Sequence, residues 1–195
     1  MRLPAPTDLV VVVVVVGGGV VPLEHLWATW RSAYVGKVVD TRTLPTPGEA
    51  AGRSLFERLL AGADEEGDEV AGVVWRGATC FALVNLYPYT AGHMMVLPQR
   101  AVSDLEALTE IEHVELWSAV RDAVVALKAA FRCDAVNVGL NLGAAAGGSQ
   151  SDHLHVHCVP RWEGDANFIA VAADTRVLPV SLTEAADRIR AAWPG

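Results

Sequence analysis

Apolar residues recur at two different spacings along the chain, and the change of spacing separates helices from strands. Every third or fourth position is apolar over 109–131, where Thr109 and Glu112 form a candidate capping box, and this predicts a long helix. Its apolar positions are Ile111, Val114, Trp117, Val120, Val124, Leu127 and Phe131. The same spacing predicts an anchoring helix from Pro22 to Tyr34 and a short helix from Ser54 to Leu60.

Four other segments have the length and pattern of strands. Residues 79–86 and 93–97 are continuous apolar runs, whereas 136–142 and 153–159 alternate between apolar and polar positions. The long helix lies between the second and third of these strands. This order predicts an α+β fold, in which an antiparallel sheet is packed by helices on one side.

The segments without such periodicity predict the domain organisation. Residues 1–21 are expected to form an extended N-terminal arm, and 22–195 a single domain with its core at about 75–170. Proline, glycine and threonine predict a loop over 39–52, and acidic residues predict a solvated turn over 62–68.

The N-terminal apolar run predicts neither a membrane span nor a secretion signal. Leu9 to Val16 is eight residues long, whereas a helix needs about 20 apolar residues to cross a bilayer. Pro4 and Pro6 precede the run, and no Ala-x-Ala cleavage site follows it. We therefore expect no membrane partner. The run is also strongly β-prone, which favours either cover by a partner strand or aggregation when exposed.

Composition narrows the classes of function. The 195 residues are 52% hydrophobic and 19% charged, so a buried core is expected, and the net charge is −8. An acidic chain does not suit duplex nucleic acid, but a small phosphorylated ligand needs only a few donors. Three widely separated cysteines predict no disulfide framework and favour a reducing cytoplasm.

The candidate chemistry lies in the last predicted strand. His153, His155 and His157 alternate with apolar residues, so their side chains share one face, with Cβ atoms about 7 Å apart. One use of such a row is metal binding by neutral imidazoles. Three in-line imidazoles do not easily converge on one ion, because the outer two are about 13 Å apart at their bases. The other use is nucleophilic attack on phosphorus by one imidazole, assisted by a neighbour.

The segment before the histidines offers groups for an anion. Residues 143–151 form a loop rich in glycine with two hydroxyls, and such loops let backbone N–H groups approach phosphate oxygens. Asn137, Gly139 and Asn141 share one face of the preceding strand. If the two strands pair, that face can be the histidine face.

These residues resemble a known family. His153-Leu154-His155-Val156-His157-Cys158-Val159 resembles the histidine-triad signature of the HIT superfamily of nucleotide hydrolases and transferases. Residues 81–98 are similar to the nucleoside-binding half of its Fhit-like branch. Residues 137–143, 147–149 and 159–168 are similar to bacterial diadenosine tetraphosphate phosphorylases.

The resemblance implies a covalent mechanism and assigns a role to each residue of the triad. His155 would attack the α-phosphorus, and the nucleotidyl-histidine would pass its nucleotide to phosphate or water. His157 would hydrogen-bond the phosphoryl oxygens or the leaving group, and His153 would orient its neighbours. Contacts to the phosphates are implied for Asn141, Gly148 and either Ser149 or Ser151. Contacts to the ribose and nucleoside are implied for Asn85, His93 and, beside the base, Phe81. Trp162 is a candidate to close over the second nucleoside or to join a subunit contact.

One feature of many bacterial relatives is missing from the sequence. They carry Cys-x-x-Cys before the first strand as part of a zinc site, and the corresponding stretch here is Ser54-Leu55-Phe56-Glu57. We therefore expect no such zinc site. No cofactor is expected to be required, although magnesium can accompany the polyphosphate.

The favoured function is phosphorolysis of diadenosine tetraphosphate to ATP and ADP in the cytoplasm, by a homo-oligomer that is a dimer or tetramer. The expected partners are therefore a dinucleoside polyphosphate and inorganic phosphate, with no nucleic acid. Four alternatives remain open: a dinucleoside polyphosphate hydrolase, a nucleoside phosphoramidate hydrolase, a non-catalytic nucleotide-binding module and a zinc protein.

Overall fold

The helices begin where polar side chains cap them. The computed structural model describes residues 53–147, 150–165 and 178–195. Helix α1 spans Leu55–Glu66 and α3 spans Glu110–Phe131, and Ser54 and Thr109 close a capping box at their respective N-termini. Between them lies the short α2 (Asp68–Ala71). The C-terminal α4 (Leu182–Ala192) is capped by Ser181.

Five strands form one antiparallel sheet. They are β1 (Val73–Arg76), β2 (Cys80–Val84), β3 (Met94–Pro98), β4 (Ala135–Leu140) and β5 (Val156–Arg161). Their order across the sheet is β1-β2-β3-β5-β4, and every neighbouring pair is antiparallel. The α+β architecture predicted from the sequence is therefore confirmed. The histidine strand β5 lies between β3 and β4.

Helices cover both faces of this sheet, so the expectation of helices on one side only was wrong. One face packs against α3 and α4 through an apolar cluster that includes Val96, Val156, Leu116, Leu127 and Ile189. The opposite face of β1–β3 packs against α1, whose inward residues are Phe56, Leu60 and Ala63. The strands of this half are buried on both faces, which is why β2 and β3 are continuously apolar.

Over 53–76 one prediction was wrong and one strand was missed. The expected acidic turn over 62–68 is mostly helix, because α1 continues past Leu60, packs Ala63 against the sheet and reaches Glu66 before Gly67 ends it. The strand β1 was not predicted from the sequence. It is only four residues long and pairs with β2 through an irregular register, and such a short run has no clear period.

The long helix was confirmed at its predicted bounds, but its buried face differs from the expected one. Ile111 and Val114 are 71% and 62% exposed. The buried face carries many alanines, and its residues are Glu112, Leu116, Ala119, Val120, Ala123, Ala126 and Leu127. Small side chains let the helix approach the sheet closely. Because alanine is only weakly hydrophobic, a prediction based on large apolar residues does not identify this face as the buried one.

The last two predicted strands are confirmed with shifted bounds: β4 is 135–140 where 136–142 was predicted, and β5 is 156–161 where 153–159 was predicted. β5 begins at Val156, so His153 and His155 lie in the segment that leads into it. The predicted arm over 1–21, the helix from Pro22 to Tyr34 and the loop over 39–52 lie outside the described residues. Among the residues that are described, no helix is long and apolar enough to cross a membrane.

Candidate active site

The three histidines lie at the start of β5, on the side of the sheet that α1 covers over β1–β3. His157 pairs across the sheet with Met95 on β3 and with Gly139 on β4. Directly opposed residues of an antiparallel pair project to the same face. Met95 belongs to the cluster under α1, so His157 points to the same side of the sheet as that helix.

His153 is the most deeply placed of the three and is fully hydrogen-bonded. It is 1% exposed. Its Nε2 lies 2.9 Å from the carbonyl oxygen of Pro98, and its Nδ1 lies 2.6 Å from Oγ of Ser54. A carbonyl only accepts, so Nε2 carries the proton. Burial lowers the pKa of His153 below its ordinary value of 6.5 and keeps the ring neutral.

His155 is held so that one ring nitrogen remains available for chemistry. Its Nδ1 donates to the backbone carbonyl of His153 over 2.8 Å. Phe56 of α1 packs against the same ring, with centroids 5.5 Å apart. Desolvation lowers the pKa of His155. The neutral ring therefore carries its proton on Nδ1, and the lone pair is on Nε2.

His157 has the opposite tautomer because of His93, which directly precedes β3. Nδ1 of His93 accepts the backbone N–H of Tyr89 over 3.0 Å, so the neutral His93 carries its proton on Nε2. That Nε2 lies 3.0 Å from Nδ1 of His157 and donates to it. His157 then carries its own proton on Nε2. Burial, followed by the nearby His155, lowers the pKa of His157 to about 4.

The two adjacent imidazoles thus present complementary groups. The rings of His155 and His157 have centroids 4.9 Å apart and are nearly perpendicular, at 81°. One offers a nitrogen lone pair and the other an N–H donor. A neutral imidazole nucleophile beside an N–H hydrogen-bond donor can form a bond to phosphorus while the donor stabilises the charge on the leaving oxygen.

Open space lies beside His157 on β4. A Cβ placed at Gly139 would meet no atom within 4 Å. Asn137 lies on the same face of β4, where its Oδ1 accepts a hydrogen bond from Arg161 over 2.9 Å. Asn141 directly follows β4 and is partly buried. In the described part of this face, Gly139 therefore leaves space next to the histidines because it has no side chain, and Asn137 and Asn141 supply amide groups.

The structure brings some of the other predicted residues to this point. His93 contacts His157 directly, and the amide nitrogen of Asn85 lies 3.3 Å from Nδ1 of His93. Ser151 is exposed in the turn that precedes the histidines, and Trp162 directly follows β5.

One other predicted contact is not brought there, and two further predicted residues lie outside the described part of the chain. Phe81 has no exposed surface and lies on β2 under α1, two strands away from β5. Gly148 and Ser149 lie outside the described residues.

Two residues at the site were missed by sequence reasoning. Ser54 bonds to His153 across 99 positions of the chain. Its only sequence signal was the Ser-x-x-Glu spacing of a capping box, which predicts a helix start and no contact to the triad. Tyr89 lies at the rim, 42% exposed, with its ring 4.5 Å from that of His93 and 5.9 Å from that of His157. An aromatic residue in a turn beside a predicted site was the available signal.

The stretch at the position of the zinc motif is hydrogen-bonded within the protein. The carboxylate of Glu57 accepts the backbone N–H groups of Ser54 and Ala101. Both ring nitrogens of His153 have protein partners. These donors do not fit a zinc ion, since a neutral serine hydroxyl replaces the thiolate that zinc prefers. Within 53–147, 150–165 and 178–195, no group of three or more His, Cys, Asp or Glu is placed to hold a metal.

The chain is similar to known proteins that belong to the family of the histidine signature. The HIT domain model matches residues 67–164. The AP-4-A phosphorylase of Mycobacterium tuberculosis is 41% identical over 172 residues, which cover 88% of this chain and 85% of that protein. The asymmetrical bis(5'-nucleosyl)-tetraphosphatase of Schizosaccharomyces pombe is 39% identical over 93 residues, or 48% of this chain and 50% of that one.

Solved structures show the same fold. A Hit-like protein from Bartonella henselae, described as involved in cell-cycle regulation, superposes with a TM-score of 0.52 and 28% identity. The match covers 62% of this chain and 84% of that one. The histidine signature, the sheet with its flanking helices and these similarities lead to one conclusion: the chain belongs to the HIT domain family.

Proposed function

We propose that this protein cleaves diadenosine tetraphosphate with inorganic phosphate to give ATP and ADP, through a nucleotidyl-histidine on His155. The observation that carries the proposal is the hydrogen bond from Nδ1 of His155 to the carbonyl of His153, which leaves Nε2 as the nucleophile. The similarity to the mycobacterial phosphorylase over most of both chains supports this choice of substrate.

The first step forms a bond between Nε2 of His155 and the α-phosphorus. The bond from that phosphorus to the bridging oxygen breaks, and the leaving oxygen takes the electron pair of this bond. The Nε2–H of the neutral His157 donates a hydrogen bond to this oxygen and stabilises its charge. ATP departs as an anion, and AMP stays on the histidine. Stabilisation of developing negative charge by a positioned donor is electrostatic catalysis.

In the second step an oxygen of inorganic phosphate attacks the phosphorus and forms a new P–O bond. The bond to Nε2 of His155 breaks, the electron pair returns to this nitrogen, and ADP is released. The proton of the phosphate leaves with ADP to solvent, and the Nε2–H of His157 hydrogen-bonds the phosphoryl oxygens in this step as well. If water were the acceptor, the same step would release AMP, and the protein would be a hydrolase like the relative from S. pombe. The asparagines and the loop that leads to β5 are the candidate phosphate contacts.

Product analysis tests the proposal. Diadenosine tetraphosphate is incubated with the enzyme and ³²P-labelled phosphate, and the nucleotides are separated. We expect equal amounts of ATP and ADP, with the label only in ADP. AMP as the product, without label transfer, would make the enzyme a hydrolase. Absence of cleavage, with retained nucleotide binding, would overturn the proposal in favour of a binding module.

A nucleoside phosphoramidate serves as a competing substrate in the same assay. The covalent step would be shared, but the leaving group would be an amine on a single nucleotide. We expect kcat/KM for the dinucleoside polyphosphate to be higher. The opposite order would identify a phosphoramidate hydrolase.

We propose that the reaction needs no resident cofactor and that magnesium enters only with the polyphosphate. His155 and His157 supply the nucleophile and the hydrogen-bond donor. We expect activity to survive removal of tightly bound metal by dialysis against a chelator, once magnesium is restored. A requirement for stoichiometric zinc would contradict this view.

We propose that the protein forms a dimer through the edge strand β4. This strand is largely exposed in the described part of the chain, and Val138 at its centre is 42% exposed. An edge strand with free pairing groups favours association. The opposite edge of the sheet is β1. There Arg190 donates two hydrogen bonds to the carbonyl of Val73, over 2.8 and 3.0 Å, so this carbonyl already has partners within the chain.

Sedimentation measures this association. We expect Val138→Lys to dissociate the dimer, whereas Ile111→Lys, at an exposed apolar position on α3, leaves it unchanged. A tetramer that Val138→Lys reduces to dimers would support the same interface. A monomeric wild-type protein would contradict it.

We also propose a cytoplasmic location. Cys80, Cys133 and Cys158 are all free and buried, a state that a reducing compartment maintains. Cell fractionation tests this placement.

A further inference from the structure

Ser54 joins the start of α1 to the histidine triad through a buried hydrogen bond. Its Oγ lies 2.6 Å from Nδ1 of His153, and the two residues are 4% and 1% exposed. Ser54 also caps α1, because Oγ accepts the backbone N–H of Glu57 over 3.1 Å. The hydroxyl thus has an acceptor role toward the helix and a separate contact to a histidine.

The direction of the contact to His153 follows from the other bonds. Nε2 of His153 must carry a proton, since it faces the carbonyl of Pro98. In the neutral ring Nδ1 is then an acceptor, and the only proton available for it is that of the Ser54 hydroxyl. The serine therefore donates to His153 and fixes its tautomer.

His153 also orients His155, the proposed nucleophile. The backbone carbonyl of His153 accepts the Nδ1 proton of His155 over 2.8 Å. Phe56, two residues after Ser54, packs against both rings, with centroids 5.3 Å from His153 and 5.5 Å from His155. The first turn of α1 thus fixes His153 by a hydrogen bond and confines His155 by packing.

We propose that Ser54 is a positioning residue for His155: its hydroxyl locks the ring of His153, and the locked residue presents the carbonyl that orients the nucleophile. The inference rests on the proposed function for its kinetic consequence. A serine that only caps α1 would stabilise the helix without affecting the chemistry, so the experiment must separate these two roles.

The chain contains a matched control. Ser181 caps α4 in the same way, with Oγ accepting the backbone N–H of Glu184 over 3.2 Å. Ser54→Ala and Ser181→Ala both remove such a cap, so they should lower helix stability to a similar extent. We expect Ser54→Ala to lower kcat about 10- to 100-fold with little change in KM, since small misplacements of a reacting group have effects of this size. Ser181→Ala should keep the wild-type kcat.

A second variant keeps the cap and removes the donor. Ser54→Asp retains an N-cap as good as serine, but its carboxylate only accepts, so His153 must place a proton on Nδ1. We expect imidazole ¹⁵N spectra of Ser54→Asp to show this protonation, and kcat to fall as in Ser54→Ala. Ser54→Thr retains the hydroxyl and should recover kcat. If Ser54→Ala does not fold, these two variants still decide.

Exchange of the Nδ1 proton of His155 provides a readout that does not need substrate. We expect this exchange to be faster in Ser54→Ala and Ser54→Asp than in wild type and Ser181→Ala. If the exchange rate of the Nδ1 proton of His155 and kcat in Ser54→Asp were both equal to those of wild type, the positioning role of Ser54 would be overturned. If wild type did not turn over diadenosine tetraphosphate, the proposed function would fail, and the exchange measurement alone would decide the role of Ser54.

Discussion

His93 donates a hydrogen bond from Nε2 to Nδ1 of His157 over 3.0 Å, and this bond decides which nitrogen of His157 carries its proton. The direction of this hydrogen bond is set by Tyr89. Its backbone N–H donates to Nδ1 of His93, so the proton of the neutral His93 ring is on Nε2. A residue that directly precedes β3 thereby controls the protonation of a residue of β5. The backbone amide is the fixed reference, because it cannot reverse its role.

The tautomers can be observed directly. In long-range ¹H–¹⁵N spectra of the wild-type protein near neutral pH, we expect His155 to carry its proton on Nδ1 and His157 on Nε2. In His93→Ala the donor to His157 is lost, so His157 should populate both tautomers and kcat should fall about tenfold or more. A wild-type spectrum with His157 protonated on Nδ1 would contradict the proposed hydrogen bond from its Nε2 to the substrate oxygens.

Removal of the nucleophile tests the covalent step. We expect His155→Ala to lose at least about 10³-fold in kcat, because no other group can form the bond to phosphorus. Rapid quenching of wild type under alkaline conditions, in which an N–P bond survives, should trap the nucleotide on His155. His113→Ala, at an exposed position on α3, is the control and should keep full activity. Equal turnover by both variants would eliminate the mechanism.

The pH profile of activity follows from the lowered pKa values of the triad. Desolvation lowers the pKa of His155 and His157 from 6.5, for His157 to about 4. The neutral rings are the active forms, so we expect kcat/KM to stay constant as the pH falls through the ordinary imidazole range and to decline only below it. A decline centred at the ordinary pKa of imidazole would show that His155 is solvated.

Stability should depend on pH for the same reason. In the folded state these histidines bind protons only below their lowered pKa, whereas the unfolded chain binds them below 6.5. The unfolded state therefore holds more protons in this window, and the free energy of unfolding falls as the pH drops from 6.5 toward 4. Urea unfolding at several pH values should show this slope. The slope should be smaller in His157→Gln, and an equal slope in the two proteins would contradict the assignment.

Gly92, directly before His93, cannot carry a side chain. Its φ is +79°, and an added Cβ would lie 2.5 Å from the ring of Phe131. We expect Gly92→Ala to lower the free energy of unfolding by about 1–3 kcal/mol and to displace His93. Gly62→Ala is the matched control, because Gly62 lies within α1 with no atom within 4 Å of its Cβ position. That variant should gain about 0.5–1 kcal/mol, and a loss of equal size in both would contradict the role of Gly92.

The fold could be predicted from the sequence wherever a segment carried a strong period or a bounded apolar run. α3 was predicted from its helical period, and β2 and β3 were predicted from apolar runs of strand length with turn residues between them. The four-residue β1 was missed, since its strand conformation depends on pairing with β2. The exposed positions of Ile111 and Val114 were not predictable, because α3 turns its alanine face toward the sheet to pack closely.

The amino-acid sequence by itself determined that three histidines lie together on one short segment, since a spacing of two residues in an extended chain allows little else. It also carried the family signature. Only the tertiary structure decided what each ring can do. Ser54 and His93, distant in sequence, supply the hydrogen bonds that assign a proton to one nitrogen of His153 and of His157. A tautomer is set by the partners around a ring, and those partners meet only when α1, β3 and β5 pack together.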